Sequence, residues 1–260
     1  MPRLACPEDM AINRRQLFGR AASAAAKIVV SQPIFACSAN TTGFDDDGSS
    51  DTITPGSASA SCILTASLTE GPYFVDERLL RSDIRADPTT GALSAGTPLD
   101  LTFTVARLSR GTCAPLTGAY LDVWHCDAVG VYSDESANNS SGRKFLRGYQ
   151  ITDASGVAKF TTVYPGWYSG RAVHIHFKLR LFAGATRTYE FTSQFFFDEP
   201  LTSVVHATTP YTTHGARDTR NTMDGIYNGL STAQKSALTL STTKTDDGYS
   251  GVINLTVNVG

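Results

Sequence analysis

The strongest constraint in this chain is a series of short segments with a period of two, separated by turn residues. "LDLTFTVARL" (residues 99–108) alternates Leu, Phe and Val against polar residues, and "SRGTCAPLTG" after it is turn chemistry. "AYLDVWHCDA", "AVHIHFKLRLF", "RTYEFTSQFFF" and "GVINLTVNV" read as further strands, and "RGYQITDASGVAKFTTV" as a hairpin turning at Ala154-Ser155-Gly156. Helical periodicity is almost absent from Cys62 onward; "STAQKSAL" makes at most a turn or two. Short strands at this spacing predict an all-β antiparallel sandwich. The stretch from Phe197 to Asn228, polar and holding Pro200 and Pro210, reads as a long surface loop of the functional kind.

Upstream of this domain the composition changes. "INRRQLFGRAASAAAKIVV" has the layout of an export signal, and the arginine pair Arg14-Arg15 suggests the twin-arginine route; a short basic amphipathic helix is the plainer reading. Met10 would leave a conventional short basic n-region as an alternative start. Ile34-Phe35-Ala36-Cys37 resembles a bacterial lipoprotein box, with ordinary signal-peptidase cleavage as the alternative to a lipid anchor at Cys37. Residues 38–60 hold mostly Ser, Thr, Asp and Gly and read as a flexible tether. The expected organisation is therefore an export signal over 1–37, a tether over 38–60 and a sandwich domain over 61–260. The destination is periplasmic, cell-surface or extracellular.

A net charge of -2 and a pI near 6.2, with no basic patch, argue against a nucleic-acid partner. No apolar run reaches the length of a spanning helix. Of five cysteines, Cys62, Cys113 and Cys126 fall in the sandwich. Three in an oxidising compartment imply one disulfide and one buried thiol. Cys62 and Cys113 both sit just outside apparent strands and are the favoured pair, although sequence leaves connectivity open.

Within "AVHIHFKLRLF", His174 and His176 are two residues apart and so project from one strand face, with Phe177 and Leu179 alternating against them as in a half-buried strand. Two imidazoles on one face can share a metal ion, yet ordinary strands also place polar residues on one face. Upstream lie Tyr132 in "GVY" and Tyr168 in "PGWY". Phenolate is a hard anionic oxygen donor that suits trivalent iron, and imidazole suits iron in either oxidation state.

Taken together, "TEGPYF", "VWHCDAVGVYSD", "FLRGYQITDASGVAKFTTVYPGWYSGR" and "HIHFK" resemble the intradiol ring-cleavage dioxygenases, the family of catechol 1,2-dioxygenases and protocatechuate 3,4-dioxygenase. The likeness spans about Cys62 to Phe197 and is greatest to the compact secreted branch. The resemblance implies a non-haem Fe(III) ion held by Tyr132, Tyr168, His174 and His176. It implies electrostatic roles for Arg171 and Gln194 beside the substrate ring, and places Tyr73 of "GPYF" in the substrate pocket. The partners it implies are O2 and a catechol-type diol, cleaved to a cis,cis-muconate, with Tyr168 leaving the metal when the diol binds. Catechol, protocatechuate, hydroxyquinol and lignin-derived diols all stay open.

Plain alternatives accompany these assignments. Tyr164, next to Pro165, competes with Tyr168 for the second phenolate. His125 reads as a hydrogen-bonded structural histidine and Trp124 as core. His206 and His214 line the pocket mouth or are simply solvated. The same strand–turn pattern also resembles transthyretin-like binding modules, which need no paired histidines, and the pair alone would serve a zinc or copper protein.

Overall fold

The computed structural model describes residues 62–259. The expected export signal, the tether, Cys6 and Cys37 lie outside the described residues.

The strands are β1 (Pro98–Ser109), β2 (Thr112–Pro115), β3 (Tyr120–Trp124), β4 (Arg147–Ile151), β5 (Val157–Val163), β6 (His174–Ala183), β7 (Thr186–Phe196), β8 (Ser241–Lys244) and β9 (Tyr249–Asn258). Three helices, α1 (Glu199–His206), α2 (Gly225–Asn228) and α3 (Thr232–Leu238), lie between β7 and β8. One sheet runs β2-β1-β9-β8, with β5 also paired to β1; the other runs β4-β3-β6-β7. The pairing is antiparallel except between β1 and β9, which run parallel, Leu99 opposite Tyr249 through Leu108 opposite Asn258. The helical excursion after β7 makes this possible, because parallel neighbours need a long connection.

Alternation becomes packing where the sheets face each other. Leu99, Leu101, Phe103 and Val105 of β1 and Ile253, Leu255 and Val257 of β9 are buried, while the residues between them are at least partly exposed. They meet Leu121 and Val123 of β3 and Ile175, Phe177 and Leu179 of β6 in one core. At its centre the Phe103 ring lies 5.8, 6.0 and 5.9 Å from those of Phe160, Phe177 and Phe195.

The expected hairpin between β4 and β5 is not one. Asp153 does close a tight turn, its N–H reaching Val157 O at 2.9 Å, but β4 pairs with β3 and β5 with β1. Thr152 draws the chain off into the other layer: it is buried, its hydroxyl donates to Leu116 O at 2.6 Å and accepts from Ala119 N at 2.9 Å.

Nor is β6 half-buried. His174 through Arg180 are buried on both faces, because the chain before β1 covers the outer one. Lys178 pairs with Glu70 and lies 4.0 Å from the Phe74 ring centre. Arg180 bonds Asp76 at 2.8 Å and grips Asp122 at 2.8 and 3.0 Å. Buried cations are tolerated when paired in this way.

Cys62 and Cys113 form a disulfide, with Cys113 inside β2 rather than outside a strand. Cys126 is a buried free thiol, its pKa pushed up by burial. "STAQKSAL" forms α3 behind a capping box of Ser231 and Gln234. The polar stretch after Phe197 is not merely a surface loop, since Thr202, Val205, Tyr211, Asn221 and Asp224 are buried in it.

Candidate metal centre

Two loops bring the tyrosines to the histidine strand. In the first, which follows β3, Asp127 Oδ1 accepts from Val129 N and Val131 N, both at 2.9 Å, and Asp127 N closes the loop onto Val131 O at 2.8 Å. Gly130 has φ +83°, and a Cβ there would stand 2.2 Å from Trp167 O. The second loop, Pro165 to Tyr168, packs against the first through Gly166, whose Cβ would fall 2.5 Å from Ala128 O. Gly166 N also donates to Asp127 O at 2.9 Å. The glycines of G-x-Y and P-G-x-Y are thus required by close backbone approach.

Beyond Tyr132 the backbone is pinned by buried groups. Ser140 Oγ donates to Tyr132 O at 2.5 Å. Arg147, a buried cation on β4, donates to Ser133 Oγ, Ser133 O and Tyr73 O at 2.8, 2.5 and 2.5 Å. Arg147 therefore ties the Tyr132 loop to the segment carrying Tyr73, whose ring stacks on that of Tyr132 at 4.4 Å.

The four donors expected from the resemblance come together. His174 Nε2 lies 3.0 Å from His176 Nε2 and 3.2 Å from the Tyr168 hydroxyl. The Tyr132 and Tyr168 ring centres are 5.7 Å apart. His174 Nδ1 sits 2.6 Å from Ala172 O. A carbonyl only accepts, so Nδ1 carries the proton and the Nε2 lone pair faces the cluster. The Tyr132 hydroxyl is buried with no hydrogen-bond partner, a costly arrangement unless something else satisfies it.

Electrostatics point the same way. Burial holds both imidazoles neutral, pushing His174 down to about 3 and His176 well below its ordinary value. Burial also raises both phenols, Tyr168 to about 12 against the opposing charge of Arg171, and Tyr132 well above 10. Neutral imidazoles are ready ligands, whereas buried phenols ionise only beside a strong positive charge. Among the described residues no three His, Cys, Asp or Glu side chains cluster as a metal site. A metal here would draw on phenols as well as imidazoles, and the two-Tyr, two-His set fits a trivalent iron.

Strand register places the neighbours. Gln194 stands opposite His176 on β7, and Trp124 opposite it on β3. The Trp124 ring stacks on His176 at 5.0 Å, tilted only 8°, so this core residue also forms a wall of the site. Arg171 donates to Gln194 Oε1 through Nη2 and to Asp224 Oδ2 through Nε, the latter at 2.8 Å.

Tyr164 lies elsewhere, its hydroxyl donating to Thr202 Oγ1 at 2.8 Å. His125, just past the end of β3, donates from Nδ1 to Cys126 O and accepts at Nε2 from Thr162, both at 2.7 Å. His206 bonds Pro165 O at 3.0 Å and stacks on Tyr211, while His214 packs on Trp167. Arg147 and Asp224 were not expected at the site. Arg147 had one weak signal, a charge inside a strand, and Asp224 had none.

A family model described as Dioxygenase matches residues 69–210. An intradiol ring-cleavage dioxygenase from Tetranychus urticae is 29% identical, with a TM-score of 0.63 over 76% of this chain and 96% of its own. The dioxygenase domain of a dioxygenase carbohydrate-binding protein fusion from Streptomyces sp. SirexAA-E is 25% identical, with a TM-score of 0.54 over 76% of this chain and 100% of its own. Hydroxyquinol 1,2-dioxygenase from Pseudomonas putida DLL-E4, at 18% identity and a TM-score of 0.50 over 76% and 67%, shares the fold alone. No curated protein matches by sequence. The chain belongs to the intradiol ring-cleavage dioxygenases. It is an oxidoreductase of the class that opens catechol-type rings with O2, not a transthyretin-like binding module.

Proposed function

We propose that the enzyme is a non-haem Fe(III) dioxygenase that inserts both atoms of O2 into a catechol-type diol. The ring bond between the two hydroxyl-bearing carbons breaks, and a cis,cis-muconate-type product results. The observation that carries this reading is the meeting of two imidazole nitrogens and two phenols, one of them a buried hydroxyl with no other partner.

Ferric iron held by Tyr132, Tyr168, His174 and His176 would supply Lewis acidity, withdrawing electron density from the bound diol so that O2 can attack the ring. Tyr132, stacked under Tyr73 and fully buried, would be the phenolate that stays in place. Tyr168 is more exposed, and its hydroxyl lies 3.2 Å from His174 Nε2. As a phenolate, Tyr168 would be the one to swing away and take up a diol proton at its oxygen. Arg171 and Gln194 face the developing negative charge, Tyr73 walls the diol pocket, and Trp124 holds the His176 ring in plane.

Export along the twin-arginine route, which carries folded proteins, belongs to the same reading, followed either by ordinary signal-peptidase cleavage or by lipid anchoring at Cys37. The Cys62–Cys113 disulfide supports an oxidising destination.

Iron analysis, visible spectroscopy and oxygen uptake on a panel of catechols test the proposal. Iron-loaded enzyme should be coloured by tyrosinate-to-Fe(III) charge transfer and should yield the intradiol product. Tyr132→Phe and Tyr168→Phe should each shift or bleach the colour, and Tyr164→Phe should leave it intact. A colourless protein holding zinc and no iron would sink the reading.

A further inference from the structure

Asp224 lies in the polar stretch between β7 and α3, beside the exposed Met223, yet is itself wholly buried. Its carboxylate accepts four N–H groups. Oδ1 takes Ile226 N at 2.7 Å and Tyr227 N at 3.0 Å, capping α2. Oδ2 takes Arg171 Nε and Ala172 N, both at 2.8 Å. Burial alone would raise this carboxyl's pKa, but the Arg171 bond and the backbone amides outweigh it and keep the group ionised below its ordinary value.

The second half of this arrangement reaches the site. Arg171 is held on two sides, Nε by Asp224 and Nη2 by Gln194 Oε1, and Gln194 Nε2 reaches Thr69 O at 3.4 Å. A guanidinium fixed at two of its nitrogens cannot rotate about its stem, and Nη1 has no partner among the described residues. Asp218, from the same stretch, accepts from Gly170 N at 3.3 Å. The polar stretch therefore grips the turn between Tyr168 and His174 at both ends.

We propose that Asp224 is a positioning residue for ring cleavage, aiming Arg171 at the substrate through Nε. The proposal rests on the role given to Arg171 above. Capping α2 alone would make Asp224 a folding residue only, and the two roles separate experimentally.

Asp224→Asn keeps one oxygen for the cap but turns an amide N–H2 towards donors. Asp224→Ser keeps a good N-cap and drops the Arg171 contact. Either variant in iron-loaded full-length enzyme should lower kcat about 10- to 100-fold, the range for losing an orienting partner. KM for the diol should move less than about threefold, as for a contact made in the transition state. The visible band of the resting enzyme should not move. In an Arg171→Gln background, either Asp224 change should cost less than about twofold more, because residues acting as a unit are non-additive.

Equal losses in both backgrounds, or a lowered Tm with kcat intact, would overturn the positioning role. The serine variant decides the matter if the asparagine variant fails to fold. Wild-type enzyme inert towards every diol would overturn the proposed reaction itself, an outcome distinct from active wild type with indifferent Asp224 variants.

Discussion

The two sheets of this sandwich share a core and differ in their other faces. The β1–β9 sheet alternates between buried apolar and at least partly exposed residues, as in the residues from Gly251 to Asn258. The middle of the other sheet is buried on both sides, over Leu121–Trp124 of β3 and His174–Arg180 of β6, and its outer face carries His174, His176, Lys178, Arg180, Asp122 and Arg147. A sheet with one wet face needs only an apolar partner. A sheet with polar groups buried on its second face needs a partner for each one, and those come from loops far away in sequence. The apolar core lies between the sheets, and the candidate site on the covered outer face of one of them.

That contrast can be broken from either side. The largest expected effect is on activity: His176→Ala should take oxygen uptake to background and empty the site of iron, while stability of the metal-free protein falls far less than for a core truncation. Iron content and chemical denaturation on one preparation check this, and residual turnover would remove His176 from the ligands. Next, Phe103→Ala, between three aromatic rings, should cost about 3–5 kcal/mol in denaturant. Its folded fraction should keep the colour of the wild type; a bleached but stable Phe103→Ala protein would mean the site depends on the core more closely than the contrast allows.

The smallest effect is a pH dependence. His125 is wholly buried, and burial lowers its pKa to about 4 from an ordinary 6.5. The unfolded chain then binds the proton more tightly, so stability is full above pH 6.5 and declines as pH falls towards 4. The loss is about 3 kcal/mol, which His125→Gln should largely remove from the denaturation profile. An unchanged profile would show that His125 becomes charged inside the fold at no cost.

Much of this was legible along the chain. The i, i+2 spacing of His174 and His176 placed them on one face, and they meet there. The β1 alternation announced its buried face. Tyr132 and Tyr168 were drawn to the histidines by the resemblance rather than by any periodicity, because nothing local says that two loops more than thirty residues apart will touch. The turn at Asp153 was visible, but the sheet that each flanking strand would join was not. Turn chemistry is local and strand pairing is not. Asp224 was invisible for the same reason: an aspartate in a polar stretch looks solvated until the fold closes over it.

The sequence by itself determined which residues alternate and where the chain turns, since these follow from backbone period and turn chemistry, while the four candidate ligands were named as a set by the resemblance. Only the tertiary structure decided that Arg147 ties Tyr73 to the Tyr132 loop, that Trp124 backs His176, and that Asp224 holds Arg171. Each of those contacts joins segments far apart in the chain, and a buried polar group takes whichever partner the packed fold brings within hydrogen-bond reach.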